Sequence, residues 1–488
     1  MRTPYADIAL EDVDALLQRS MKAFHTYARQ PLTTRAQLLR AMAVALEAGG
    51  DALIRTAMRE TNLPEARLRG ERSRTVFQLN SYAEACEQGE WLEVRIDHAN
   101  AAKTPPKPDI RKMLVPLGPV LVYGASNFPF AYSTAGGDTA CALAAGCSVV
   151  VKAHPAHPET SETVAAAIGQ ALAECGLPAD LFLHVHGKAP EIGKALVTHP
   201  CTKAVGFTGS QLAGRTLFDW ACARPEPIPV FAEMGSVNPV FLLPQKLEAD
   251  ATALAEMYAG SITLGVGQFC TNPGLLFAPE GQGLETFLAA LTHAIQQMPG
   301  QRMLHPGIAD SYAAHRSKAL SQSGVLSLAI GIEGSDPGSG VPTIASVEAR
   351  HFLENPLLHQ EVFGPFSLVV RCRDVQEMLE ACRRLEGQLT ATVMGTEEEL
   401  AQSQELLEAA AAIAGRIILN GVPTGVEVCQ AMQHGGPYPA CTDSRFTSVG
   451  ADGIKRFARP QAYQNWPDAL LPAALREANP LKIPRTVA

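Results

Sequence analysis

The stretch Gly265-Val266-Gly267-Gln268-Phe269-Cys270-Thr271-Asn272-Pro273-Gly274 sets one cysteine between glycine-containing turns. A cysteine presented on such a loop can act as a nucleophile if a base takes its proton and donors meet the charge that develops on the attacked oxygen. Free cysteine is also among the most buried residue types, so Cys270 taken alone reads as a small core thiol. The partners it would need decide between the two. Glu233, in Val230-Phe231-Ala232-Glu233-Met234-Gly235-Ser236, is a lone carboxylate in an apolar run. A buried charge must be paired or neutralised, and a raised pKa would suit Glu233 to act as a base near neutral pH. A partly exposed glutamate at a strand end is the equal alternative. Asn127, before Phe128-Pro129, can offer its amide to an oxyanion or can simply suit a turn.

A dinucleotide fingerprint G-x-G-x-x-G is absent: Gly265-Val266-Gly267 begins one, but its third position is Cys270. Gly206-Phe207-Thr208-Gly209-Ser210 ends a strand and opens a helix, whose free N–H groups suit an anion. On spacing alone, Ser210 as a plain helix cap is the better reading. Lys152 closes an apolar strand, where a ribose or phosphate and plain solvent are both reasonable partners. Glu361, in Glu361-Val362-Phe363-Gly364-Pro365, is another carboxylate beside a turn.

The elements that must position these residues are read from periodicity. Helical spacing of apolar residues covers about Leu10 to Glu60, with Thr33-Thr34 as a cap before the second run, and continues from Leu63 to Cys86. The proline-rich Ala101–Pro108 cannot be a central strand or helix and reads as a linker or edge hairpin. From there strands alternate with helices: Val115–Gly124, Cys147–Val151, Leu181–His186 and Ala204–Phe207, with helices at Ser133–Ala145, Ser161–Cys175, Pro190–Thr198 and Ser210–Ala221. Such alternation marks βαβ units around a parallel sheet, whose ligands sit at the carboxyl ends of the strands. A second alternation begins near Val237, with strands at Pro239–Leu243, Gly274–Ala278, Phe366–Arg371, Leu389–Met394 and Arg416–Leu419. Its helices are Ala249–Ser261, Gly283–Met298, Val375–Arg384 and Glu397–Ala412, with Gly331–Pro342 as a surface loop. The tail from Gly450 reads as an extended arm.

The chain has 488 residues, too many for one ordinary core, with 47% hydrophobic and 18% charged residues. A net charge of −9 without any lysine/arginine block argues against a nucleic-acid partner. The N-terminus lacks the order of a signal peptide, and no apolar run reaches membrane-spanning length. The 11 scattered cysteines contain no C-x-x-C pair, so neither a disulfide framework nor a zinc site is expected, and the reducing cytoplasm is the expected compartment.

In order and context, these motifs resemble the aldehyde dehydrogenase superfamily from about Ala23 to Trp466. The resemblance implies an α/β fold: a Rossmann-type parallel-sheet cofactor domain at 1–234 with an oligomerisation hairpin around 91–117, a second α/β domain at 235–432 carrying the nucleophile, and a return segment and arm at 433–488. It implies Cys270 as nucleophile, Glu233 as general base and Asn127 as oxyanion donor. It also implies cofactor contacts from Ser126, Lys152, His154, Pro155, Phe207, Thr208, Gly209, Ser210, Gly235, Glu361 and Phe363, and no metal. The motifs Ala125–Pro129, Ser133–Thr139, Lys152–Pro158, Arg224–Glu233 and His434–Pro439 look like the 2,5-dioxovalerate (α-ketoglutarate semialdehyde) dehydrogenase branch. Many relatives carry tryptophan where Ser126 stands, and NAD-preferring ones carry glutamate where Pro155 stands. Without that carboxylate NADP is allowed, and Lys152 with His154 would favour it, with NAD also used. A semialdehyde with a carboxylate end calls for a cation, for which Arg72, Arg74 and Arg445 are candidates. Implied too are a small-molecule aldehyde substrate, no membrane partner, and a homodimer or homotetramer. The rival readings are a CoA-acylating relative, a medium- or long-chain aldehyde dehydrogenase and a non-catalytic binding homologue.

Overall fold

Runs such as Val149-Val150-Val151 are apolar at every position because both of their faces are covered. The computed structural model describes residues 5–488, so Met1 to Pro4, part of the stretch read for a leader, lie outside the described residues. The chain opens with α1 (Val13–Tyr27), α2 (Leu32–Ala48), α3 (Gly50–Thr61) and α4 (Glu65–Gln88), followed by β1 (Arg95–Asp97) and β2 (Ile110–Pro116). Then come β3 (Val120–Tyr123), α5 (Gly137–Ala145), β4 (Val149–Lys152), α6 (Pro158–Glu174), β5 (Phe182–Val185), α7 (Pro190–Thr198), β6 (Ala204–Thr208), α8 (Gln211–Cys222) and β7 (Val230–Glu233).

Strands β3 to β7 form a parallel sheet in the order β5-β4-β3-β6-β7. Alternation divides its side chains. Val120, Val122, Val149 and Val151 pack in one core with Leu39, Leu143 and Ile168 of α2, α5 and α6. Leu121, Val150, Val205 and Val230 pack in another with Leu17, Leu196 and Leu217 of α1, α7 and α8. Lys152, Thr208 and Glu233 close their strands at the same carboxyl edge.

The second alternation comprises β8 (Val240–Leu242), α9 (Pro244–Thr263), β9 (Leu275–Pro279), α10 (Gln282–Gln296), β10 (Gln301–Arg302), α11 (Pro306–Leu320), β11 (Leu326–Ile330), β12 (Ser339–Gly340) and β13 (Thr343–Glu348). It continues with α12 (Ala349–Glu354), β14 (Phe366–Cys372), α13 (Val375–Arg384), β15 (Gln388–Met394), α14 (Glu397–Gln402), α15 (Gln404–Ile413) and β16 (Ala414–Leu419). Its seven-stranded sheet runs β11-β13-β14-β9-β8-β15-β16, parallel except for the β11–β13 edge. Strands β11 and β13 and helix α11 escape the periodicity reading. β13, buried at every residue but Glu348, carries the polar Thr343 and Ser346, and α11 buries only Tyr312. The helix expected over Glu397–Ala412 breaks at Ser403.

A third sheet, β17-β2-β1-β18, brings in β17 (Ala458–Gln464) and β18 (Thr486–Val487). The tail thus supplies a full antiparallel partner to β2, from Ala458 opposite Pro116 to Gln464 opposite Ile110. The single strand expected over Val115–Gly124 is cut between Pro116 and Val120: β2 joins this sheet and β3 the parallel one. Ala101–Pro108 is the hairpin connection, closed by Asn100 pairing with Lys107. Two helix starts also move. Pro31 precedes α2 without any side-chain cap, leaving Thr33 and Thr34 inside the first turn. The segment Ser133–Gly136 forms a turn before α5, below a loop whose Phe130 and Ala131 N–H groups donate to Glu71 of α4 at 2.8 and 3.0 Å. Among the described residues no helix is long and apolar enough to cross a membrane.

Candidate active site

Three consecutive residues with left-handed backbone, Gly265 (φ 55°), Val266 (φ 59°) and Gly267 (φ 64°), lead into Cys270. For β-branched Val266 that conformation is strained, and such strain persists only where the surroundings impose it. Here they do. A Cβ on Gly267 would meet the Gly364 carbonyl at 2.3 Å and Pro365 N at 2.5 Å, so the cysteine loop lies directly on the Glu361–Pro365 turn. Below the loop, Asn238 Nδ2 donates to the carbonyls of Cys270 and Asn272, both at 2.9 Å. Its Oδ1 accepts from Ser236 and Thr390 at 3.0 Å. Asn238 is a clamp that motif reading passed over.

Glu233 ends β7 and is buried, 4% exposed, which removes the alternative of a partly exposed strand end. Ser448 Oγ donates to its Oε2 at 2.6 Å, and His434 Nε2 lies 3.1 Å from its Oε1. The same Nε2 stands 3.6 Å from Cys270 Sγ. Glu233, His434 and Cys270 therefore bring their reactive atoms within 4.8 Å of one another. Oε1 receives no well-aligned hydrogen bond and keeps a lone pair for a proton.

The electrostatics reverse one expectation. Burial alone would lift the Glu233 carboxyl, but adjacent His434 and the donors around it, Ser448 among them, outweigh burial and hold it below the usual carboxylate range. Burial and the neighbouring Glu233 charge push the Cys270 thiol well above its ordinary value. The resting pair is thus thiol and carboxylate, with the base ionised and ready to accept. His434 appears in the sequence only as part of His434-Gly435-Gly436, with no role attached. A buried histidine shows its function only through what faces it.

Asn127 Nδ2 donates to the Gln268 carbonyl at 3.1 Å, which sets the amide beside the cysteine loop, with its second N–H uncommitted among the described residues. Arg67 buttresses this turn: its Nη2 donates to Asn127 O at 2.9 Å, and its guanidinium lies 4.7 and 4.5 Å from the ring centres of Phe128 and Phe269. Beyond Cys270 a cavity of about 400 Å³ opens, lined by Arg74, Phe128, Tyr132, Phe269 and Val426. Arg74 Nη2 reaches Tyr132 Oη at 3.4 Å and Val426 O at 3.3 Å, while its buried Nη1 has no partner. Of the three arginines proposed from sequence, only Arg74 lines this cavity. Two residues earlier on α4 is about 200° around the helix, so Arg72 faces α3 and donates to Gly50 O at 2.8 Å. Arg445 is 79% exposed and paired with Asp443.

The cofactor candidates divide similarly. The N–H groups of Gln211 and Leu212 at the start of α8 have no protein acceptor among the described residues, and the turn Gly209-Ser210 is exposed. Ser210 is indeed the N-cap, accepting from Ala213 N at 3.3 Å. A helix start can be capped and still receive a phosphate, so the surface fits a dinucleotide's pyrophosphate. Phe207 is buried against Gly209, Gly214 and Tyr123, while Thr208 is half-buried. Lys152 Nζ donates to Ala153 O at 3.1 Å and Gly187 O at 3.0 Å, and burial pushes it down to about 8. His154 is turned inward onto His157 and His305, and burial pushes its ring well below the usual histidine range. Burial thus works against a charged ring at this position, where His154 was expected to help Lys152 favour NADP. Pro155 is exposed on the same turn. Glu361 and Phe363 line a pocket with Ser236 and Gly267. Burial lifts the Glu361 carboxyl to about 7, and a Cβ on Gly235 would lie 2.5 Å from its Oε2. Ser126, half-buried, precedes Asn127 in the turn.

A thiol faced by a buried ionised carboxylate, below a parallel sheet with an open helix start, is the architecture of one class of enzymes, and residues 3–458 match the aldehyde dehydrogenase family model. The chain belongs to the aldehyde dehydrogenase family, and so is an oxidoreductase that uses a nicotinamide cofactor on an aldehyde group. It is 49% identical over 478 residues to alpha-ketoglutaric semialdehyde dehydrogenase 2 of Azospirillum brasilense, covering 98% of this chain and 91% of that one. It is 42% identical over 485 residues to alpha-ketoglutaric semialdehyde dehydrogenase of Acinetobacter baylyi, covering 99% and 92%. Among solved structures, 3,6-anhydro-L-galactose dehydrogenase shares the fold with a TM-score of 0.79 at 22% identity, covering 94% of this chain and 92% of that one.

Proposed function

We propose that the protein oxidises 2,5-dioxopentanoate, α-ketoglutarate semialdehyde, to 2-oxoglutarate. The observation that carries this substrate is the unpaired, buried guanidinium Nη1 of Arg74 in the cavity that ends on Cys270. A buried donor atom left without a partner is costly, and a carboxylate arriving at the guanidinium forms a charge-assisted pair. The two curated relatives, both named for this semialdehyde, support the same reading.

In the reaction, Cys270 Sγ bonds to the aldehyde carbon while its proton passes to Glu233 Oε1. The oxyanion is met by Asn127 Nδ2 and by the Cys270 N–H, which has no acceptor among the described residues. When bound, the nicotinamide supplies the hydride acceptor. Cys270 then holds the acyl group as a thioester. Glu233 releases that first proton to solvent and takes another from water, the hydroxide adds to the thioester carbon, and the sulfur leaves and regains a proton from Glu233. His434 Nε2, between carboxylate and sulfur, steadies whichever carries the negative charge.

Replacing Arg74 by alanine is expected to lower kcat/KM for the semialdehyde about 10- to 100-fold, the worth of a charged hydrogen bond, while leaving hexanal almost unchanged. Steady-state kinetics with both aldehydes check this. Equal losses on both, or a wild-type preference for hexanal, would favour the apolar-aldehyde reading to which Phe128, Phe269 and Val426 lend themselves.

For the cofactor we propose NADP with NAD also accepted, because Pro155 presents no carboxylate against a 2′-phosphate. Pro155→Glu is expected to cut kcat/KM with NADP on the order of 100-fold through like-charge repulsion, with little change for NAD. Comparable effects on both cofactors would refute the role of this position. The proposed division remains a cofactor domain at 1–234, a nucleophile domain at 235–432 and a return segment at 433–488, in a cytoplasmic homodimer or homotetramer. Exposed Ile417 and Leu419 on edge strand β16 support association.

A further inference from the structure

Away from Cys270, at the outer edge of the parallel sheet, three metal-ligating side chains converge. His184 lies on edge strand β5 and His186 just beyond its end, and two-residue spacing along an extended chain sends both rings to one side. That side faces α6, which contributes Glu162. His186 Nε2 is 2.7 Å and His184 Nδ1 3.6 Å from Glu162 Oε1, and all three donor atoms fall within 4.8 Å of one another. We propose that Glu162, His184 and His186 bind a divalent cation of the zinc class.

Bonds of about 2.0–2.2 Å to a tetrahedral ion place neighbouring donors about 3.3 Å apart, a spacing that the two measured separations bracket. The second observation lies behind the ligands. The other nitrogen of His184, Nε2, is 2.7 Å from Ser161 Oγ, which is 2.5 Å from Thr134 Oγ1. Ser161 and Thr134 are fully buried. In the arrangement that suits a metal, Nε2–H donates to Ser161 and Ser161 to Thr134, which leaves Nδ1 with a bare lone pair toward the carboxylate. At 3.6 Å that contact is not a hydrogen bond, and a cation between the two groups reconciles them. Outer-shell bonds of this kind are how ligating histidines are held in tautomer and orientation. Two imidazoles and a carboxylate, with Glu162 half exposed, leave water a place in the coordination sphere and suit a borderline ion rather than calcium or magnesium.

The ion would also fasten neighbouring parts together. The Tyr5 ring lies 5.3 Å from that of His186, whose carbonyl accepts the Ile8 N–H at 2.9 Å. The next residue, Gly187, accepts Lys152 Nζ. Loading would pin the N-terminal segment and α6 to the strand end that holds this lysine.

The test is titration of the tag-free full chain with Co²⁺, and with Zn²⁺ in competition, in a Cys270→Ser background so that the thiol site cannot contribute. The expected result is one Co²⁺ per chain, with visible ligand-field absorption, no thiolate charge-transfer band, and displacement by Zn²⁺. His186→Gln and Glu162→Gln should each weaken binding at least about tenfold, and Ser161→Ala, which keeps all three ligands, by about 10- to 100-fold. Glu162 is half exposed, so Glu162→Gln remains a folded test if the buried variants do not, as the melting temperature of the metal-free protein will tell. Absence of Co²⁺ uptake, or uptake unchanged in Glu162→Gln, would overturn the site.

Discussion

Cys270→Ser is expected to lower aldehyde oxidation by at least about 10⁴-fold while leaving cofactor binding intact, because serine preserves the shape of the site and removes its nucleophile. Cofactor titration followed by protein fluorescence, beside NAD(P)H formation, separates the two effects. Substantial residual turnover would sink the assignment. The electrostatics of the pair add a finer check on the wild-type protein. With burial and Glu233 holding the thiol high, alkylation by iodoacetamide should accelerate well into the alkaline range. Removing the carboxylate charge lowers the thiol pKa, so Glu233→Gln must shift that profile to lower pH. An unmoved profile would mean that the two groups do not share the site as drawn.

Glu233→Gln carries the second large effect. Glutamine keeps an oxygen for Ser448 but cannot take a proton from water, so hydrolysis of the thioester should slow about 10²- to 10⁴-fold. The same change lowers the thiol pKa and so lets Cys270 attack without this base; acylation would then outrun deacylation, and rapid mixing should show a burst of reduced cofactor, one per site, followed by a slow steady state. An unchanged steady-state rate would refute the base role. His434, 3.6 Å from Sγ, is placed to take over in part. Were the loss in Glu233→Gln at the low end, adding His434→Asn should deepen it. The lowered pKa of Glu233 also fixes a sign: the base stays ionised as pH falls through the mildly acidic range, and activity dependent on it is lost only below the usual carboxylate titration.

Much of this molecule is written locally. Val115–Gly124, Cys147–Val151 and Ala204–Phe207 read as buried strands because an apolar run between glycine or proline turns has no other stable use. Their helices follow from 3.6-residue spacing, and the ends of the strands are where Asn127, Lys152 and Thr208 fall. Cys270, Glu233 and Asn127 each had a plain structural alternative, and they were legible as a set only because their motifs, in order, resemble one family; the contact of left-handed Gly267 with Gly364 appears only in the fold.

What stayed hidden depends on contacts made far along the chain. Ser448 meets Glu233 across 215 residues and His434 meets Cys270 across 164, from a segment with little regular structure and no period to read. Strand β2 was hidden for the same reason: its partner β17 lies in the tail. The choice of Arg74 over Arg72 and Arg445 needed the direction of α4 relative to the cavity. The ionised state of Glu233 needed His434 and Ser448 beside it. Sequence thus determined which residues are chemically capable and which elements carry them, since those follow from local backbone preference and burial. Tertiary structure decided their partners, the direction in which burial and neighbouring charge push their protonation, and which candidate cation lines the cavity, because charge is set by everything within a few ångströms, whatever its distance in sequence.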